Sequence, residues 1–329
     1  MKIFVSSRSF GVQCNEAVDI IKEVAEVERS TFGRPLTESD LVKVLSPYDG
    51  IIVGVDEITE RVVEASDRLK IVAKHGAGVD NIDLDACTRK GVIVTYVPGA
   101  NAESVADFTF CLMLALARKI VPAHLSTKAG KWDSKKFMGT ELYKKAIGII
   151  GMGNIGGRVA RRARGFDMRV LCATAHPEKH SEEGKKYGIE FVDLSALLKE
   201  SDVVTIHCAL TPYTEGLIST KEIALMKKNA FLINTARGPI VDEKAVYHAL
   251  REKKIAGAAF DVYSVEPPLA NCKLFELDNV IVTPHIASYT IDAIRNVDLI
   301  QARDIARVLR GELPEFVANP EVLRTFTTG

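Results

Sequence analysis

The chain has 329 residues, 47% of them apolar, enough for about two domains with substantial cores, so wholesale disorder is excluded. Lysine plus arginine and aspartate plus glutamate each number 43, so no net charge draws the protein toward nucleic acid or an anionic membrane. The best apolar run, Phe108 to Ala117, is too short to span a bilayer; MKIFVSSRSF turns polar at Ser6; and six scattered cysteines include no C-x-x-C. The expectation is a reduced, cytoplasmic protein with no membrane segment and no metal site.

Ile3 to Val5 starts a strand, and Asn15 to Val24 reads as a helix with apolar Val18, Ile21 and Val24. Apolar runs follow at Ile51–Val55, Leu69–Ala73 and Val92–Val97, separated by the polar helical stretches Thr59–Ser66 and Asp83–Arg89. Continuous apolar strands between helices predict a parallel sheet buried on both faces, closing near residue 97. Pro98-Gly99 punctuates the chain, and a long helix is predicted from Asn101 to Ile120. Seven further strands are predicted at Ala146–Ile150, Arg169–Cys172, Glu190–Val192, Asp202–His207, Ala230–Asn234, Ala256–Phe260 and Val280–Thr283. Helices lie between them at Gly156–Gly165, Leu194–Glu200, Thr220–Met226 and Glu243–Glu252, which makes a doubly wound sheet. An amphipathic helix, Ile291–Arg310, stops at Gly311, and the tail after Pro314 is expected to return to the first domain.

Gly151, Gly153 and Gly156, with Met152, Asn154 and Ile155 between them, form G-x-G-x-x-G. The motif follows an apolar strand and opens a helix, as dinucleotide binding requires: one glycine turns, one admits the pyrophosphate, one packs helix on strand. An acid on the ribose is expected about 20 residues on. Thr174 stands there instead, followed by His176, Lys179 and His180. A threonine neither anchors a 2′-hydroxyl as a carboxylate does nor repels a 2′-phosphate, so NAD and NADP both stay open. The basic neighbours are equally readable as phosphate contacts or as solvated loop residues.

Five motifs then occur in one order: His75-Gly76-Ala77-Gly78-Val79-Asp80-Asn81-Ile82-Asp83; the glycine loop; Asn234-Thr235-Ala236-Arg237-Gly238; Phe260-Asp261-Val262 followed by Glu266-Pro267; and Thr283-Pro284-His285. Over nearly the whole chain they resemble the D-isomer-specific 2-hydroxyacid dehydrogenases, closest to the D-3-phosphoglycerate dehydrogenase branch. The resemblance implies an α/β architecture of two doubly wound domains. A Rossmann-type cofactor domain (99–290) is inserted into a flavodoxin-like substrate domain (1–98 plus 291–329), with the crossings as hinges of cleft closure. It implies hydride transfer between NAD or NADP and a small anionic D-2-hydroxy or 2-keto acid, in a homodimer.

The resemblance makes Arg237, Glu266 and His285 catalytic, and the chemistry agrees. Reduction of a keto acid develops negative charge on oxygen, which an imidazolium quenches by giving a proton. A carboxylate beside an imidazole favours its charged form and orients the ring. A guanidinium offers a planar fork to a carboxylate and a keto oxygen. Singly, each residue reads as well as a satisfied strand-end histidine, a solvated acid or a surface ion-pair partner. The resemblance further implies that Lys74, Gly76, Ala77 and Gly78 hold the substrate carboxylate, Lys74 standing where the phosphoglycerate branch commonly has arginine. It implies that Thr235 and Ala236 line the nicotinamide ribose and that Asp261 accepts the nicotinamide amide. Asn101 and Ser104 read as cleft residues or helix caps, and Phe108–Leu116 as dimer interface or core. A phosphorylated substrate needs more cations, for which Lys74, His75, Lys135 and Lys136 are candidates. The end at Gly329 is expected to exclude serine-type feedback through a further regulatory domain. Substrates within the expectation are 3-phosphoglycerate, hydroxypyruvate or glyoxylate, with phosphite or sulfolactate as alternatives. An NAD(H)-sensing corepressor-like binding protein is the alternative from outside the enzymes.

Overall fold

A computed structural model describes residues 1–324. Residues 325–329, the end of the segment assigned above to the substrate domain, lie outside the described residues. The chain divides into two compact units, one of Met1–Asn101 with Tyr289–Gly329, the other of Ala102–Ser288. Among the described residues, no helix is long and apolar enough to cross a membrane.

The first unit holds a five-stranded sheet of β1 (Lys2–Val5), β2 (Glu26–Arg29), β3 (Gly50–Val53), β4 (Ile71–Lys74) and β5 (Ile93–Thr95). The order is β2-β1-β3-β4-β5 with every pair parallel, the flavodoxin-like arrangement. Its helices are α1 (Asn15–Lys22), α2 (Glu38–Val44), α3 (Glu60–Glu64), α4 (Leu84–Arg89) and, after the second unit, α12 (Ile291–Leu309). Local chemistry sets their ends. Thr37 and Asp40 form a capping box at α2, Asp83 accepts from the Ala86 amide at α4, and Thr290 accepts from the Ala293 amide at α12. The tail does return to this unit: the Ala318 amide donates to Val94, and Asn319 accepts from the Val94 amide.

The second unit holds α5 (Ala102–Ala117), α6 (Ile120–Lys128), β6 (Ala146–Ile150), α7 (Asn154–Arg164), β7 (Arg169–Ala173), α8 (Ser181–Tyr187), β8 (Ile189–Phe191) and α9 (Leu194–Glu200). It continues with β9 (Val203–Ile206), α10 (Thr220–Ile223), β10 (Phe231–Asn234), α11 (Glu243–Arg251), β11 (Gly257–Phe260) and β12 (Val280–Val282). The sheet order is β12-β11-β10-β9-β6-β7-β8, again all parallel. Alternate strand residues serve opposite cores. Val204, Leu232, Ala258 and Phe260 pack on one face, Val203, Ile233, Ala259 and Ile147 on the other. A sheet buried on both faces explains why these strands read as continuous apolar runs.

Four of these elements escaped the sequence reading. α2 is a short helix that buries only Leu41. β2 is Glu-Val-Glu-Arg, an exposed edge strand without an apolar run. α6 buries no residue at all. α8 starts with polar Ser-Glu-Glu and buries only Gly184. The segment Phe108–Leu116, left open between interface and core, buries Thr109, Phe110, Leu112, Met113 and Leu116 inside this unit and so belongs chiefly to the core.

Candidate active site

Doubly wound sheets bind ligands where the strand order reverses, here between β6 and β9 at their carboxyl ends. The glycine loop follows β6. Gly151 has φ +96°, and a Cβ there would stand 2.6 Å from the Cys208 amide nitrogen; one on Gly156 would stand 2.2 Å from the Gly151 carbonyl oxygen. These two glycines are needed by the fold. At Gly153 a Cβ would meet nothing within 4 Å. Gly153 is also the N-cap of α7, where no side chain caps the helix. The open approach and the uncapped amides with their positive helix end fit a pyrophosphate. His207, whose amide donates to the Ile150 carbonyl next to this loop, was not singled out in the sequence. Burial pushes its imidazole down to about 3, so it stays neutral. Its Nε2 meets Thr205 at 2.9 Å, and its buried Nδ1 has no partner among the described residues.

The other candidates of this unit lie on loops after β10, β11 and β12, three neighbouring strands. After β10, buried Asn234 accepts from the Ala236 amide and donates to the Arg237 carbonyl, which shapes the turn carrying Arg237. Thr235 Oγ1 lies 3.4 Å from Thr109, and Ala236 is buried. After β11, the Tyr263 amide donates to Glu266 Oε1 at 3.0 Å, and after β12, His285 Nδ1 meets Glu266 Oε2 at 2.7 Å. Burial pushes the Glu266 carboxyl up. The His285 hydrogen bond and charge, the Tyr263 amide and Arg237 outweigh it, and the group sits below the ordinary carboxylate range. Arg237, Glu266 and His285 are therefore brought together.

Asp261 is fully buried, and both its oxygens face the β12 loop. Oδ1 accepts from Thr283 Oγ1 at 2.6 Å and from the Ile286 amide at 2.9 Å; Oδ2 accepts from the Ala287 amide at 2.8 Å. Between these contacts His285 adopts φ +55°, a left-handed backbone that a non-glycine residue keeps only when its surroundings hold it. The Tyr263 hydroxyl donates to the Thr283 carbonyl at 3.0 Å. Burial pushes that phenol up to about 12, so it acts as a donor.

In the first unit, the loop Lys74–Gly78 follows β4. Gly76 has φ +151°, and its carbonyl accepts from the Val97 amide. Among the described residues, no hydrogen bond engages the amides of Ala77 and Gly78. The Lys74 ammonium is used inside the unit, on the Gly54 carbonyl and on Asn81 Oδ1. His75 is held by Asp298.

Residues 110–287, just over half of the chain, match the family model described as D-isomer specific 2-hydroxyacid dehydrogenase, NAD binding domain. The chain belongs to this dehydrogenase family. It is 45% identical over 306 residues to a D-3-phosphoglycerate dehydrogenase of Methanocaldococcus jannaschii, covering 92% of this chain but 57% of that protein. The chain thus spans little more than half the length of that relative. It is 39% identical over 320 residues to a glyoxylate reductase of Thermococcus kodakarensis, covering 95% of each. Among solved structures, D-lactate dehydrogenase from Aquifex aeolicus, complexed with NAD and lactic acid, aligns with TM-score 0.83 and 31% identity over 100% of this chain and 99% of that one.

The loop after β7 carries Thr174 and its basic neighbours. His176 Nδ1 lies 3.2 Å from Glu178, and His180 Nδ1 lies 2.9 Å from Glu183. The two histidines among the basic neighbours of Thr174 are thus each faced by an acid. Lys135 and Lys136 lie on an exposed turn of the second unit. Asn101 ends the first unit, and Ser104 stands in the first turn of α5.

Proposed function

We propose that the protein interconverts a small D-2-hydroxy acid and its 2-keto acid with a nicotinamide cofactor. The observation that carries this reading is the 2.7 Å His285–Glu266 contact beside Arg237, on the same sheet as the glycine loop. The nicotinamide, when bound, supplies or accepts the hydride at the substrate's C2. Glu266 holds Nδ1 and so presents His285 Nε2 to the substrate. In reduction, Nε2 gives its proton to the keto oxygen as C2 takes the hydride; in oxidation, the neutral ring takes the hydroxyl proton back. Arg237 pairs the substrate carboxylate and keto oxygen, and the Ala77 and Gly78 amides hold the carboxylate. Thr235 and Ala236 line the nicotinamide ribose. Asp261 serves the proton donor by holding the His285 turn.

The substrate of this reading is unphosphorylated, of the glyoxylate or hydroxypyruvate kind. A phosphoryl group calls for several cations, yet Lys74 is spent on Gly54 and Asn81 and His75 on Asp298. The cofactor is NAD(H), because Glu178 and Glu183 offset the histidines that would meet a 2′-phosphate. Initial rates with NADH and NADPH against glyoxylate, hydroxypyruvate, pyruvate, 3-phosphohydroxypyruvate and sulfopyruvate test both statements. Expected is turnover of glyoxylate or hydroxypyruvate with NADH favoured. A preference for the phosphorylated acid, or for NADPH, overturns the corresponding half. NADH binding without turnover of any member counts against the enzyme reading.

The working form is a homodimer through the second unit. α6 buries nothing, and Ile120, Val121, Leu125, Trp132 and Met138 are exposed, Trp132 at 90%. An apolar stretch of this kind calls for cover. Light scattering after size exclusion is expected to give twice the 36.0 kDa chain mass, and Leu125→Asp with Trp132→Ala to give the single mass. A monomeric wild type sinks this assignment.

A further inference from the structure

The first unit contains a buried polar array that hydride transfer does not use. The His75 side chain is 6% exposed and Asp298 is 0% exposed. His75 Nε2 meets Asp298 Oδ1 at 2.7 Å, and Nδ1 meets Ser9 Oγ at 3.2 Å. The second carboxylate oxygen of Asp298 accepts from the Gly11 amide at 2.9 Å. The Phe10 ring stands edge-on to the imidazole, centroids 5.8 Å apart. Three segments distant in sequence meet here: the loop after β1, the loop after β4, and α12, which packs on α1 and β4.

Stability alone does not call for this arrangement. A buried hydrogen-bonded charge is often no more stabilising than an apolar pair of the same volume, because its desolvation offsets its attraction. What an apolar pair lacks is direction. His75 immediately precedes Gly76, Ala77 and Gly78. Its amide donates to the Val53 carbonyl at 2.8 Å, which fixes the backbone on the sheet side. The imidazole fixes the other side onto a helix. With both held, the amides of Ala77 and Gly78 keep one orientation.

We propose that Ser9, His75 and Asp298 form a positioning device that holds the Gly76–Gly78 loop in its anion-binding shape, with His75 as the positioning residue and Asp298 as its anchor on α12. The proposal rests on the reading of that loop as the site of the substrate carboxylate. It explains why a histidine immediately precedes the small residues of this loop: it is bonded inward, and the anion is left to backbone amides.

The test pairs kinetics with hydrogen exchange. His75→Phe with Asp298→Leu keeps the packing volume and removes the bonds. The keto-acid KM is expected to rise about tenfold or more, with kcat and the NADH Kd within about threefold of wild type. Amides of residues 76–82 are expected to exchange at least about tenfold faster, with those of the second unit unchanged. His75→Gln, which retains a donor to Asp298, is expected to recover most of the KM. Asp298→Asn, the gentler change, should move KM and exchange in the same direction by less. Unchanged exchange in the double variant, or His75→Gln as impaired as the double variant, overturns the positioning role. Faster exchange with an unchanged KM overturns the assignment of the loop to the substrate and leaves the anchoring in place.

Discussion

His285→Ala is expected to lower kcat by about 10²- to 10⁴-fold, the usual worth of a positioned general acid, while NADH binds as to wild type. The imidazole is the proposed proton donor, and it stands on a loop whose geometry is over-determined. Its ring is held by Glu266 at 2.7 Å. Its backbone is held on both sides by Asp261, through Thr283 and through the Ile286 and Ala287 amides. Alanine at φ +55° keeps the left-handed strain that the Asp261 contacts already hold, so the fold is expected to survive. Steady-state rates and a fluorescence titration with NADH check both halves. A kcat within about threefold of wild type removes His285 from the proton path.

Glu266 adds a pH dependence of known sign. Its carboxyl sits below the ordinary value of 4.5 in the folded protein, although burial alone would raise it. A depressed folded value means that the carboxylate stabilises the fold above pH 4.5, and that this contribution disappears as pH falls through the lowered value. The Tm difference between wild type and Glu266→Gln is therefore expected to be full at neutral pH and to shrink only below pH 4.5. A difference that closes already at higher pH assigns the stabilisation to another group.

What could be read from the residues follows a physical pattern. The glycine loop was legible because each glycine answers a local backbone demand. Arg237, Glu266 and His285 were legible because strand ends of a parallel sheet bring together residues far apart in sequence, and the family motifs name them. β2 was not legible: an edge strand exposed on both sides carries no hydrophobic pattern, and its pairing with β1 is what makes it a strand. The binding of His75 to Asp298 spans 223 positions and leaves no periodic trace. Asp261 shows how a motif underdetermines a role. The sequence offers a carboxylate at a strand end; only the fold reveals that Thr283, Ile286 and Ala287 reach it.

Two glycines of the second unit are expected to fail in opposite ways, and the contrast separates folding from binding. A Cβ on Gly238 would stand 1.9 Å from the Tyr263 carbonyl carbon and 2.3 Å from the Ser264 nitrogen, so the Tyr263–Ser264 peptide is in the way, and it is backbone rather than a flexible side chain. This close approach is what brings the Arg237 loop against the turn that carries Glu266. Gly238→Ala must push the loops apart, at about 1–3 kcal/mol, the usual penalty of overpacking. For a unit of this size that lowers Tm by roughly 2–12 °C. Displacing Arg237 by about 1 Å is expected to reduce kcat/KM about 10²-fold. Gly153→Ala meets open space instead, so Tm should fall only by what alanine costs at an N-cap, under about 1 kcal/mol. NADH affinity should fall, since a methyl group then occupies the approach of the pyrophosphate to the α7 amides. Calorimetry and NADH titration on the two variants decide the matter. Wild-type Tm and turnover in Gly238→Ala refute the loop contact as the means of assembling the site, and wild-type NADH affinity in Gly153→Ala refutes the open face as the pyrophosphate's approach.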